Sequence, residues 1–81
     1  GVKPRKPGYA EVEIAPWFGS LRHLEGKVPT PRGFIEVTLD RDRGGEIVIP
    51  AGAVGYLRCD DAPLAAGRLA AGRHRIAPRA D

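Results

Sequence analysis

Residues 34–49 read Phe34-Ile35-Glu36-Val37-Thr38-Leu39-Asp40, then Arg41-Asp42-Arg43-Gly44-Gly45, then Glu46-Ile47-Val48-Ile49. The first seven alternate, with Ile35, Val37 and Leu39 on one side and Glu36, Thr38 and Asp40 on the other. A period of two is the mark of a strand buried on one face. The polar pentapeptide with its paired glycines reverses the chain, and a second β-branched run leads back. This stretch predicts a hairpin at the centre of the chain.

The same grammar extends in both directions. Upstream, Tyr9–Ile14 alternates Ala10, Val12 and Ile14 with Glu11 and Glu13, until Pro16 stops it. Leu21–Val28 sets Leu24, Gly26 and Val28 against His23, Glu25 and Lys27. Pro29-Thr30-Pro31-Arg32-Gly33 is a turn by composition, since Pro presets φ and Gly supplies any positive φ. Downstream, Pro50-Ala51-Gly52 is another turn. Ala53–Cys59 is a further strand, with Val54, Tyr56 and Arg58 on one face and Ala53, Gly55, Leu57 and Cys59 on the other. Its buried side stays open. Turns at about ten-residue spacing point to an all-β fold, a small antiparallel β-sandwich of jelly-roll-like form with about six to eight short strands.

The last quarter repeats itself: Leu64-Ala-Ala-Gly-Arg68 is followed at once by Leu69-Ala-Ala-Gly-Arg73. A helix capped by Asp60 or Asp61, with Pro63 in its first turn and Gly72 at its end, is one reading. Gly67 would then sit mid-helix with only two large apolar side chains facing the core. Short strands near Leu64 and at Arg73–Ile76, joined by Gly turns, are the preferred reading. The domain is set at residues 9–77, with residues 1–8 an extended linker shaped by Pro4 and Pro7, and 78–81 a tail.

Composition narrows the function. Eleven Gly and eight Pro fill 19 of 81 positions, which discourages long helices. A chain of this length makes one domain and no deep cavity. Apolar runs are too short for a membrane span, so no membrane partner is expected. No charged-then-apolar leader opens the chain, and Gly1 in the place of Met is expected of an excised or processed end. The net charge of +3 is uneven. Lys3, Arg5 and Lys6 give the first eight residues +3, residues 9–67 carry −3, and the last fourteen carry +3 through Arg68, Arg73, Arg75 and Arg79 against Asp81. Nucleic-acid binders place their cations on the folded face, whereas here the body is acidic and only the ends are basic.

No chemical machinery stands out. The single cysteine, Cys59, cannot form an internal disulfide and reads as a small buried hydrophobe. His23 and His74 lie far apart with no cysteine pair, so zinc-ligand spacing is missing and no metal or other cofactor is expected. Ser20, the one serine, lacks a nucleophile elbow. Arg43-Gly44-Gly45 lacks the Lys-Ser/Thr of a phosphate loop. Glu11/Glu13 and Asp60/Asp61 are carboxylate pairs, but glutamates at i and i+2 on an outer strand form an ordinary solvated face. No catalytic residue is assigned. The candidate contact residues are aromatic: Trp17 and Phe18, adjacent on the loop after Pro16, and Tyr56. A loop aromatic either plugs the end of the sandwich or faces outward to a neighbouring domain or a sugar. A core with 23 sizeable apolar residues can hardly spare a tryptophan, which favours the plug for Trp17.

Several short signatures follow one another in a set order. They are Gly8-Tyr9 with a strand leading to Pro16, Gly19-Ser20-Leu21, Thr30-Pro31-Arg32-Gly33, Ile35-x-Val37, Ile49-Pro50-Ala51-Gly52 and Ala71-Gly72-Arg73-His74. In this order, from Gly8 to Ile76, they resemble the small C-terminal β-sandwich domain of bacterial α-L-rhamnosidase-type glycoside hydrolases. Leu39 departs from the pattern, since such domains often carry an aromatic on that strand. The resemblance implies a non-catalytic accessory domain behind an (α/α)-barrel, with the acid/base carboxylates in the barrel. It therefore places no catalytic position on this chain. Its implied partner is the preceding catalytic domain of the same chain, with residues 1–8 in the connection, and its implied source is bacterial. Two other readings stay beside it. One is a carbohydrate-binding module using Trp17, Phe18 or Tyr56. The other is a small basic barrel for nucleic acid, which the acidic body argues against.

Overall fold

The structure, a computed structural model, describes residues 2–6, 8, 10–61 and 64–78. Among these it holds eight strands and no α-helix: β1 (Val2–Pro4), β2 (Glu11–Ile14), β3 (His23–Thr30), β4 (Gly33–Asp40), β5 (Gly44–Ile49), β6 (Val54–Leu57), β7 (Gly67–Leu69) and β8 (Gly72–Ile76). They form two four-stranded sheets, ordered β1-β2-β6-β7 and β3-β4-β5-β8. Five of the six pairings are antiparallel. The exception to the expected antiparallel pattern is β2 with β6, which run parallel, Val12 beside Gly55 and Ile14 beside Leu57. Parallel neighbours need a long crossover, and the whole of β3–β5 supplies it.

The alternation at residues 34–40 is realised as predicted. Ile35 and Leu39 are fully buried and Val37 partly so, while Glu36 and Thr38 face solvent. Asp40 shapes the turn that follows, its Oδ1 accepting the amides of Asp42 and Arg43 at 3.2 and 3.3 Å. Gly44 is obligatory there. Its φ is +83°, and a Cβ would fall 1.8 Å from the Ile76 carbonyl oxygen.

The core lies between the sheets. Val12, Ile14, Leu57 and Leu69 come from one face, and Ile35, Leu39, Ile47, Ile49 and Ile76 from the other, with Phe18, Ala53, Cys59 and Leu64 from connections. In β6 the face left open by the sequence resolves to Gly55 and Leu57 inward and Tyr56 outward. At Gly55 the layers come close: a Cβ would meet Ile49 Cδ1 of the other sheet at 2.9 Å and Ile14 Cδ1 of its own at 3.2 Å.

The five-residue repeat is a structural repeat as well. Leu64 and Leu69 are both buried, and Gly67 and Gly72, at φ +151° and +122°, begin β7 and β8. Positive φ at both glycines excludes the helical reading of this stretch. Pro63, placed in that helix, and Tyr9, the expected start of the first strand, lie outside the described residues, as do positions 79–81 of the tail. Pro78 pairs with Leu64 in an isolated bridge. Residues 1–8, read as linker, contain β1, which joins the first sheet through Val2↔Ile14, Lys3↔Glu13 and Pro4↔Val12. Pro4 suits an extended segment, and as an edge strand β1 tolerates its missing amide; Pro7 lies outside the described residues.

Candidate functional site

Trp17 and Phe18 part company on the loop after β2. Phe18 is 1 % exposed and belongs to the core, whereas Trp17 is 68 % exposed. The expected plug is therefore Phe18 and not Trp17. Adjacent residues on an extended loop point to opposite sides, and the backbone there is fixed. Asp61 Oδ2 accepts the amides of Phe18 at 3.0 Å and Gly19 at 2.9 Å. Arg41 donates to the carbonyls of Gly19 and Leu21 and lies 5.7 Å from the Phe18 ring centroid. A ring buried to this degree has no face to offer a sugar or a neighbouring domain, so only Trp17 of the pair is available for contact.

Trp17 stands at the rim of a cleft of about 290 Å³. The cleft opens on the side of the sandwich where both sheets end, between the edge strands β1 and β3. Its walls are Val2, Ile14 and Pro16 on one side and Leu24, Gly26, Val28 and Val37 on the other. Glu25 is the one charged residue among them, and its carboxylate is 3.0 Å from His23 Nε2. The inner face of β3 is left partly uncovered at the cleft: Leu24 and Val28 are half-buried and Gly26 is exposed. The sequence shows the apolar face of Leu24, Gly26 and Val28 but not that it remains half-open, because what covers a face is a matter of tertiary packing.

Tyr56, the third aromatic, lies elsewhere. It sits on the outer face of the first sheet in the row Lys3–Glu13–Tyr56–Arg68. The guanidinium of Arg5 covers its ring at 4.2 Å from the centroid. Trp17 and Tyr56 thus occupy different surfaces and form no common stacking platform.

The acidic groups are dispersed over solvated faces. Glu11 pairs with Lys6 at 2.8 Å, Glu13 with Arg58 at 3.6 Å, and Glu46 with Arg73 at 3.1 Å. Asp60 and Asp61, adjacent in sequence, diverge: Asp60 meets Arg58 at 3.3 Å, and Asp61 turns to the Phe18 loop. Asp61 Oδ1 is buried with no hydrogen-bond partner among the described residues. The Lys6–Glu11 hydrogen bond holds the Glu11 carboxyl below its ordinary value and the Lys6 ammonium above its own. No cluster of three His, Cys, Asp or Glu that could hold a metal ion occurs among the described residues. Nor is any helix there long and apolar enough to cross a membrane.

The short sequence signatures prove to be turn-builders that meet at the two ends of the sandwich. At one end Arg32 Nε donates to the Gly8 carbonyl at 2.8 Å. Its guanidinium also packs over Gly52, leaving a Cβ there only 2.8 Å from Nη1, while Gly33 abuts Pro50. Thr30 Oγ1 closes that turn, donating to the Gly33 carbonyl at 2.6 Å and accepting the Arg32 amide at 3.1 Å. At the other end, Gly19 and Leu21 are held by Arg41. Signatures of this kind specify a fold and not a reaction.

The family model described as the bacterial alpha-L-rhamnosidase C-terminal domain matches residues 1–56. The chain belongs to this family. The match runs from β1 to Tyr56, so Gly8, Gly19-Ser20-Leu21, Thr30–Gly33 and Pro50–Gly52 all fall within it, whereas Ala71–His74 lies beyond. No curated protein matches the chain. In this rhamnosidase C-terminal domain, turns fixed by Arg32 and Arg41 hold the two sheets, and the charged side chains lie scattered on outer faces.

Proposed function

We propose that the chain is a non-catalytic accessory domain of an α-L-rhamnosidase-like glycoside hydrolase, whose preceding catalytic domain hydrolyses terminal α-L-rhamnosides. The observation that carries this reading is the family match over residues 1–56, since that family is by its own description the C-terminal part of a larger enzyme. The disposition of the carboxylates supports it. Glycoside hydrolysis uses two carboxyl groups facing each other across the scissile bond, and here Glu11, Glu13, Glu46 and Asp60 are each paired with a cation on a solvated surface.

The test is direct. The 81-residue chain is incubated with an aryl α-L-rhamnoside, and no turnover is expected. Turnover that disappears in Glu13→Gln or Asp61→Asn would overturn the reading. A sugar-binding role draws on the exposed Trp17 alone, and it would show as retention of the isolated chain on immobilised rhamnan that Trp17→Ala abolishes.

A further inference from the structure

Among the described residues, Gly26 is the one glycine on the inner faces where the fold itself does not forbid a side chain. At Gly55 a Cβ collides with Ile49, and at Gly44 with the Ile76 carbonyl. At Gly26 a Cβ meets nothing within 4 Å, and no positive φ requires glycine there. Glycine inside a strand weakens it, and it recurs at bulges, at tight bends or where another group approaches closely. The β3–β4 register runs without a break from His23↔Asp40 to Thr30↔Gly33, so there is no bulge. The open space over Gly26 admits the last of these, an approach from outside. The missing side chain leaves a hole in the cleft wall opposite Ile14, flanked by Leu24 and Val28 and overlooked by Trp17.

We propose that this cleft is a socket for an apolar side chain of the preceding domain of the same chain, seated over Gly26 and against Trp17. The proposal rests on the accessory-domain reading and adds to it the surface that docks. Three observations select this occupant. The family match makes this the C-terminal domain of a larger enzyme, and Val2, in the first strand and so toward the preceding domain in chain order, lines the cleft. A domain joined covalently meets the socket intramolecularly, at an effective concentration that a free partner lacks. The lining is apolar apart from Glu25, which His23 already engages, whereas a small-molecule site adds free, precisely placed polar groups that fix its ligand. Finally, the β3 edge carries Lys27 and Pro29, devices that discourage strand addition, which leaves side-chain insertion as the mode of contact. The Asp61 and Arg41 contacts fix the Trp17 loop beforehand, so little ordering is needed on docking.

Gly26→Leu tests this without removing any contact, because it fills the socket from within. The full-length enzyme is made with Gly26→Leu, with Trp17→Ala, and with Phe34→Ala as a control, Phe34 being 52 % exposed and absent from the cleft lining. The readout is the rate at which a protease releases the C-terminal domain. Both cleft variants should raise it at least about tenfold, as expected for loss of an interface anchor, with Phe34→Ala unchanged. In the isolated chain, Gly26→Leu should hold or raise the unfolding midpoint. Slow release that Gly26→Leu leaves unchanged would overturn the socket alone. Release of the unmodified domain as fast as a bare linker is cut would overturn the accessory reading itself. Self-association or rhamnan binding of the isolated chain, lost in Gly26→Leu, would assign the socket to a second copy or to a sugar and overturn the proposal.

Discussion

Asp61 holds Phe18 by its backbone: one carboxylate oxygen accepts the Phe18 amide at 3.0 Å from 43 residues further along the chain. The same oxygen takes the Gly19 amide at 2.9 Å. This contact decides which of two adjacent aromatics enters the core. With the Phe18 amide turned toward Asp61, its ring closes the end of the sandwich and Trp17 is left at the mouth of the cleft.

Asp61→Ala should therefore cost about 1–3 kcal/mol, the usual penalty for leaving part-buried donors without their charged acceptor. Denaturant unfolding of the 81-residue chain measures it. An unchanged midpoint would mean that the loop is held by other contacts.

Phe18 and Trp17 should respond to truncation in opposite degree. Phe18→Ala empties a core site and should lose about 3–5 kcal/mol. Trp17→Ala removes a side chain that is mostly in water and should lose less than about 1 kcal/mol in the isolated chain. Trp17 is the only tryptophan, so its fluorescence reports on it alone. It should show the emission of a hydrated indole and quench readily with acrylamide.

Where the sheets come close at Gly55, added volume should hurt. Gly55→Val places atoms within the space of Ile49 and Ile14, and overpacking of this kind typically costs about 1–3 kcal/mol. Gly26→Leu, in a strand of the other sheet, should be neutral or stabilising. Thermal unfolding of the two variants side by side separates a glycine required by packing from one that packing leaves free.

Stability should depend on pH through Lys6 and Glu11. Their hydrogen bond lowers the Glu11 carboxyl below its ordinary 4.5 and raises the Lys6 ammonium above its ordinary 10.5. A depressed carboxyl stabilises fully above its unfolded value and loses that contribution as pH falls through the lower native value. A raised ammonium stabilises fully below 10.5 and loses it as pH rises through the higher native value. The pair thus favours the fold most between these limits. The difference in unfolding midpoint between the unmodified chain and Glu11→Gln should shrink as the solution is acidified below 4.5, and also when salt is added. A difference that persists in acid would assign the effect of Glu11→Gln to something other than charge.

Much of the fold was legible because its strands obey a period of two. Ile35, Val37 and Leu39 announced their face, and so did Val12 and Ile14. Turn chemistry was equally readable where the residue itself dictates the backbone, as at Gly44 and at Thr30–Gly33. Three features were not. The β2–β6 parallel pairing joins segments some forty residues apart, and nothing local in Glu11–Ile14 or Val54–Leu57 states the direction of the partner. Val2–Pro4 reads as linker because two nearby prolines suit either a linker or an edge strand. The orientation of Trp17 depended on Asp61, which sequence alone offered as a helix cap. The cleft was legible only in part: Leu24, Gly26 and Val28 share a face in the sequence, but how far the other sheet covers that face is set by tertiary packing and by no local pattern.

The most direct measurement is the thermal inactivation of rhamnoside hydrolysis in the full-length enzyme, compared with the same enzyme lacking residues 1–81. An accessory domain docked through the Trp17 cleft predicts that the shortened enzyme still turns over an aryl α-L-rhamnoside but inactivates at lower temperature, and that Gly26→Leu in the intact enzyme shifts inactivation the same way. Unchanged inactivation on removing the domain, or turnover by the 81-residue chain on its own, would contradict the account.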